Sequence, residues 1–260
     1  MSLLIATALI FSGILAGFIN TLAGGGTIIS LSLFMLLGLP ANVANGTYRI
    51  AALCQNAVTL GTFRHQKMLD TRKGIWLCIP TIIGSVIGAR VAVNLDEKAI
   101  EKAFAVAMIF MLFFLFYKPE KWLKGQQELI AKKVSIWQIL LFFFIGIYGG
   151  FVHVGVGYFI LAGVVLGAGY DLVKANALKA LIVLAYSPFA LAIFIWEGQV
   201  NYEFGIIHAI GNIIGGYLAT RFAVSWGAQF VRWAIVVIIL VSSVQLLGLY
   251  DFKQLFEAIL

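Results

Sequence analysis

Gly24, Gly25 and Gly26 stand in a row inside residues 16–34, AGFINTLAGGGTIISLSLF, which otherwise read as one apolar helix. Glycine is about 1 kcal/mol worse than alanine in a helix interior, so three in succession end one helix and begin another. The first peptide N–H groups of a new helix carry partial positive charge and favour anions. Asn20, Thr21 and Thr27 flank the break and add neutral donors. Asn45, Gly46, Thr47 and Arg49 follow at the start of a later apolar segment, and Asn176 and Lys179 hold a matching place further on. His153 lies beside a second glycine-bearing stretch, GVGYF at 155–159; an imidazole there can bind an anion or shuttle protons. Amides, hydroxyls, two cations and an imidazole make a set for holding a small anion. The structural alternative is that the glycines serve close helix packing, the asparagines cap helices, and Arg49, Lys179 and His153 are satisfied within the fold.

The carboxylates support this by their positions. All eleven acidic residues fall in loops or at the ends of apolar runs, which argues against a cation site and a carboxylate proton relay. The ionisable residues inside apolar runs are Arg49, Arg90, Lys179, Arg221, His153 and His208. Each costs at least about 2.5–3.5 kcal/mol in a membrane and so asks for a reason. Arg90 and Arg221 are close enough to a helix end to snorkel. Arg49 and Lys179 lie about two turns in, roughly 9 Å deep. No HExxH is present and His65, His153 and His208 show no ligand spacing, so neither a metal nor an intramembrane enzyme is expected.

The elements that must position these residues are membrane helices. The chain is 62% hydrophobic and 11% charged, with a mean hydropathy of +1.01. Soluble domains are nearer half apolar and a quarter charged. The apolar runs are about 20 residues long, which suits helices and not barrel strands. The net charge of +7 does not signal nucleic acid, because the basic residues cluster in two short loops, RHQKMLDTRK and KPEKWLKGQQELIAKK, as cytoplasmic loops do. Cys54 and Cys78 fall inside apolar runs and suggest no disulfide. The N-terminus lacks the basic region of a cleaved signal and reads as a retained first segment.

Ten segments can be marked, at 3–22, 27–38, 42–62, 74–94, 98–117, 135–152, 156–169, 173–196, 204–224 and 229–249. The second and seventh are short for a span and read as half-helices or re-entrant steps. The chain also repeats itself. An offset of 131 sets Gly38 on Gly169, Ala44-Asn45 on Ala175-Asn176, Gly84 on Gly215 and Arg90 on Arg221. Upstream, an offset of 133 sets Gly13 on Gly146, Gly17 on Gly150 and Gly24 on Gly157, implying an insertion near the short second segment. The expected architecture is an all-α, polytopic integral membrane protein of two inverted repeats, about five segments each, with interrupted helices near the start of each repeat. Residues 1–118 form the first repeat, 119–134 a basic cytoplasmic linker and 135–260 the second repeat. With the N-terminus outside, both basic loops fall inside and the acidic EGQVNYE (197–203) falls outside. The helices around GSVIGA (84–89) and GNIIGG (211–216) read as close-packing faces.

The glycine break, PANVANGTYR (40–49) and the GxxxGA helix together resemble the TauE/SafE family of sulfite exporters over essentially the whole chain. The family's GxGGG region matches at Ala23–Gly26 and its A-x-G-T motif at Ala44–Thr47, while the second copy keeps only two of the glycines and loses the Gly-Thr pair. The resemblance implies a multi-pass transporter of the plasma (inner) membrane, built from two repeats and needing no cofactor. Its partners would be the lipid bilayer and a small anionic substrate.

The functional expectation is a secondary transporter or facilitator for a small sulfur oxyanion, sulfite or an organosulfonate. The alternative is a permease for another small anion such as a carboxylate, or an anion channel. Export is the default direction, because an inside-negative potential drives an anion outward by about 2.3 kcal/mol per 100 mV. Uptake would need coupling, for which only His153, His208 or Lys179 offers a proton carrier.

Overall fold

The computed structural model describes residues 2–96, 98–100 and 126–246, with backbone alone for residues 127 and 227–246. Helix α1 spans Leu3–Leu22, α2 Thr27–Leu36, α3 Ala41–His65 and α4 Thr71–Val93. Then come α5 (Gln127–Ala131), α6 (Ile136–Phe151), α7 (Val156–Ala162, running on as a π-helical turn through Gly163–Gly167), α8 (Leu172–Trp196) and α9 (Tyr202–Leu246). No strand occurs among the described residues. The expected fifth segment at 98–117, most of the linker and the chain beyond Leu246 lie outside the described residues.

Helices α1, α4 and α8 are long and apolar enough to cross a hydrocarbon core. The surface agrees with a lipid solvent. Ile75, Ile79, Ile83, Ile87 and Val91 form an exposed stripe along α4, and Ile206, Ile210, Ile214, Leu218 and Phe222 form one along α9. Each residue of the second stripe lies 131 positions after one of the first. Polar side chains such as Asn45, Arg49, His153, Asn176 and Lys179 are buried instead. Arg90 and Arg221 are exposed, as snorkelling requires.

Both expected breaks are present. Residues 23–26 separate α1 from α2, and residues 152–155 separate α6 from α7. At ten residues α2 is about 15 Å long, half a membrane core, as a short segment must be. The offset of 131 reappears in the backbone. Every left-handed residue described pairs at it: Gly24 (φ 92°) with Gly155 (69°), Gly38 (93°) with Gly169 (82°), and Lys67 (57°) with Gly198 (67°). The conformational counterpart of Gly24 is therefore Gly155 and not Gly157. Upstream the helix ends pair at 129, Leu22 with Phe151, so the expected offset of 133 does not hold and the change lies at the break itself, between the end of the first helix and Gly24.

Helix α9 corrects a second expectation. Segments 204–224 and 229–249 were expected as two, yet the backbone is one helix from Tyr202 to Leu246. The intervening Ser225-Trp226-Gly227-Ala228 has no proline, and one glycine costs only about 1 kcal/mol in a helix.

The helices pack as two groups. Helix α1 lies along α9, which also packs on α3; α6 lies along α4, which also packs on α8; and α3 and α8 pack on each other as extensively, joining the two groups. One apolar core joins residues of α1, α2 and α3 with Ala209 of α9, Ala89 and Ala92 of α4 and Ala190 and Phe194 of α8. Another joins those of α6, α7 and α8 with Leu77 and Cys78 of α4, Leu22 of α1 and Ala219 and Ala223 of α9, so both cores bridge the groups. Glycines let these pairs approach at backbone distance. A Cβ on Gly17 would lie 2.8 Å from Asn212 Cα, and one on Gly146 2.8 Å from Thr81 Cα. Gly84, Gly88, Gly211 and Gly215 face backbone in the same way, so both GxxxG faces are packing faces as expected.

Candidate functional site

The two breaks meet at the centre of the fold. Gly24 stands against Gly157 backbone to backbone, and a Cβ on Gly24 would fall 2.5 Å from Gly157 Cα. Gly25 faces Tyr158 of α7, whose hydroxyl would be 2.6 Å from a Cβ there. Gly26 differs. It packs against its own first helix, facing the Ala16 carbonyl and Asn20 N (2.8 Å), so its lack of a side chain serves packing. Thr27 opens α2 fully buried, and its Oγ1 has the Tyr48 hydroxyl as polar neighbour without a hydrogen bond of ordinary length.

Breaking a helix exposes its last carbonyls, which need donors inside a membrane. The long helices of the opposite halves supply them. Helix α3 opens after Pro40 and places Asn45 and Arg49 one turn apart on one face. Asn45 Nδ2 donates to the Phe151 carbonyl at 2.9 Å. Arg49 donates to the carbonyls of Gly149 at 3.2 Å and Gly150 at 2.5 Å. Helix α8 opens on Asp171, whose carboxylate accepts from the Val173 and Lys174 N–H groups at 3.0 Å. It places Asn176 and Lys179 on one face. Asn176 Nδ2 donates to the Leu22 carbonyl at 3.2 Å, and Lys179 Nζ to those of Asn20 at 2.8 Å and Thr21 at 2.7 Å. An asparagine and a cation thus close the last three carbonyls of α6, and another such pair closes those of α1. Cations at helix C-termini also oppose the negative end of the dipole.

His153 lies in the second break, buried. Its backbone N–H donates to Asn45 Oδ1 at 3.4 Å, its ring stands edge-on to Tyr48 at 5.3 Å, and Nδ1 is 3.5 Å from the Tyr186 hydroxyl. Tyr48 is fully buried, and its hydroxyl faces that of Thr27. No carboxylate is among the buried residues described, and no metal-binding cluster occurs among the described residues. Two cations, two helix starts and neutral hydroxyls leave the centre with an excess of positive charge.

The structure gathers Gly24, Gly25, Thr27, Asn45, Arg49, His153, Asn176 and Lys179 around the breaks. The side chains of Asn20 and Thr21 turn to α3, where Gln55 accepts from Asn20 at 3.3 Å and donates to Thr21 Oγ1 at 2.8 Å. Gly46 and Thr47 lie elsewhere, against the turn before α9. A Cβ on Gly46 would meet the Gln199 carbonyl, and Thr47 Oγ1 accepts from Asn201 N at 2.9 Å. His208, a candidate proton carrier, is a tie between helices: Nδ1–H donates to the Leu9 carbonyl and Nε2 meets the Ser30 hydroxyl, both at 2.8 Å. Sequence reasoning missed Tyr48 and Tyr158. The offset of 131 sets Tyr48 opposite Lys179, and that was the available signal.

Comparison with known proteins follows the same direction. The family described as Sulfite exporter TauE/SafE matches residues 9–246. "Probable membrane transporter protein ORF9" of Sinorhizobium sp is 23% identical over 240 residues, covering 92% of this chain and 91% of that protein. "Probable membrane transporter protein" of Haemophilus influenzae is 23% identical over 226 residues, covering 86% and 88%. "Probable membrane transporter protein YfcA" of Escherichia coli K12 is 25% identical over 253 residues, covering 96% and 92%. No solved structure matches the chain.

Proposed function

The chain belongs to the sulfite exporter TauE/SafE family, and from that premise we propose that it is a secondary transporter or facilitator exporting a small sulfur oxyanion, sulfite or an organosulfonate, across the plasma membrane. One observation carries this reading: two helix breaks back to back, each closed by an asparagine and a cation, in a centre whose buried described residues include no carboxylate. Such a centre attracts net negative cargo and disfavours cations. The start of α2 adds backbone N–H groups and the Thr27 hydroxyl, which faces that of Tyr48.

We read the architecture as two inverted repeats with the site between them, the arrangement of many secondary transporters. The exchange of helices between the groups, α9 joining α1 and α3 while α4 joins α6 and α8, supports a two-fold relation. The pairing of all left-handed residues at 131 supports the duplication. The basic loop around residues 64–73 then lies inside and the turn at 197–201 outside.

Flux from proteoliposomes loaded with sulfite, sulfate, thiosulfate, sulfoacetate or acetate tests the function, with a potassium–valinomycin potential of either sign. Sulfite or sulfoacetate should leave fastest when the interior is negative. Absence of flux for every anion overturns the transport reading, and flux indifferent to the sign of the potential overturns the electrogenic mechanism.

A further inference from the structure

Arg49 and Lys179 close equivalent helix ends and differ in what they have left over. On the transport reading above, we infer that Arg49 is the charged ligand of the cargo and Lys179 a positioning residue, so that the two halves contribute unequally. An ammonium has three N–H groups. Those of Lys179 meet three acceptors, the Asn20 carbonyl at 2.8 Å, the Thr21 carbonyl at 2.7 Å and Asn176 Oδ1 at 2.6 Å. None remains for a ligand. A guanidinium has five N–H groups in a flat fork. Arg49 spends Nη1 on Gly149 and Nη2 on Gly150, while its buried Nε has no partner.

Nε–H and the neighbouring Nη–H form the second edge of the fork. Its spacing suits two oxygens of one anion, as in carboxylate, sulfite or sulfonate. The Phe194 ring covers one face of the guanidinium at 4.5 Å, which leaves the edge as the way to bind. A monatomic anion cannot use both donors in line. The geometry therefore selects an anion that presents two oxygens together.

The test is Arg49→Lys in the full chain. Lysine is the second half's own solution to the capping problem, so this variant retains the cap and deletes the fork. Sulfite flux from proteoliposomes should fall at least about tenfold through a raised KM. In detergent, sulfite should raise the melting midpoint of the wild type and not that of R49K. Lys179→Met should lower the ligand-free midpoint, and its half-stabilising sulfite concentration should rise by less than that of R49K. Chloride should fail to stabilise the wild type where sulfite succeeds, a readout that needs no variant to fold. R49K flux within about twofold of the wild type, a K179M shift as large as that of R49K, or chloride matching sulfite each overturns the inference. Wild-type protein that carries no oxyanion at all overturns the transport reading and this one with it.

Discussion

Gly24 and Gly157 touch through their backbones, so that the break of the first half rests on the start of α7 in the second. The contact lies between the two capped helix ends. Its closeness fixes how far apart the Asn45–Arg49 and Asn176–Lys179 pairs can stand.

Alanine at either glycine should force the halves apart. Gly157→Ala costs about 1–3 kcal/mol by overpacking. Gly24→Ala adds about 1–2 kcal/mol because its φ of 92° lies in the left-handed region. Both methyls compete for one space, so the double variant should lose less stability than the two single losses together. Thermal unfolding of the four proteins in detergent checks this; strict additivity would mean the contact is not shared.

Asn45→Ala removes the donor to the Phe151 carbonyl and the acceptor of the His153 N–H. Leaving buried polar groups bare costs about 1–3 kcal/mol each. The same measurement should show that loss, and Thr47→Ala, which deprives only the Asn201 N–H of its side-chain acceptor, should lose less.

Lys67 and Gly198 share a left-handed backbone at equivalent turns. If the repeats are inverted, these turns face opposite sides. A cysteine at Lys67 should react with an impermeant thiol reagent only from the cytoplasmic side, and one at Gly198 only from outside. Labelling of both from one side would rule out the inversion.

Asp70 precedes α4 and gives a pH prediction. Burial pushes its carboxyl up, but the Tyr170 hydroxyl at 2.5 Å, the Lys73 N–H and the Lys73 ammonium outweigh this and hold it below its ordinary value. Its contribution is then complete above the unfolded carboxylate value of about 3.9 and is lost as pH falls through the lower folded value. Asp70→Asn should destabilise the protein at neutral pH and flatten the loss of stability on acidification below about pH 4. Melting midpoints from pH 7 to pH 3 give the comparison; parallel curves would remove Asp70 from the acid transition.

The pairing at 131 was legible because glycine marks backbone geometry that other residues avoid, and Gly38 and Gly169 both carry that mark. The turn at Lys67 carries it without a glycine, so its pairing with Gly198 could not be read. The asparagines could be read as caps of the helices they open, but not as caps of the broken ends of other helices. Which carbonyls they reach depends on helix crossings between residues more than 100 positions apart. Gly26 looked like part of an anion cradle, since a sequence does not show that α2 folds back on α1. The continuity of α9 was hidden by Gly227, which weakens a helix without ending it.

The caps also set the order in which the chain can mature. Helix α1 leaves the ribosome first, yet the donors for its last three carbonyls, Asn176 and Lys179, arrive more than 150 residues later. Its packing partner α9 is later still. Insertion of the early helices therefore precedes their assembly, and the bare end of α1 must rest against water, lipid headgroups or an insertion partner while translation continues. A nascent chain stopped before Asn176 has no stable centre, and a membrane quality-control protease would find it open.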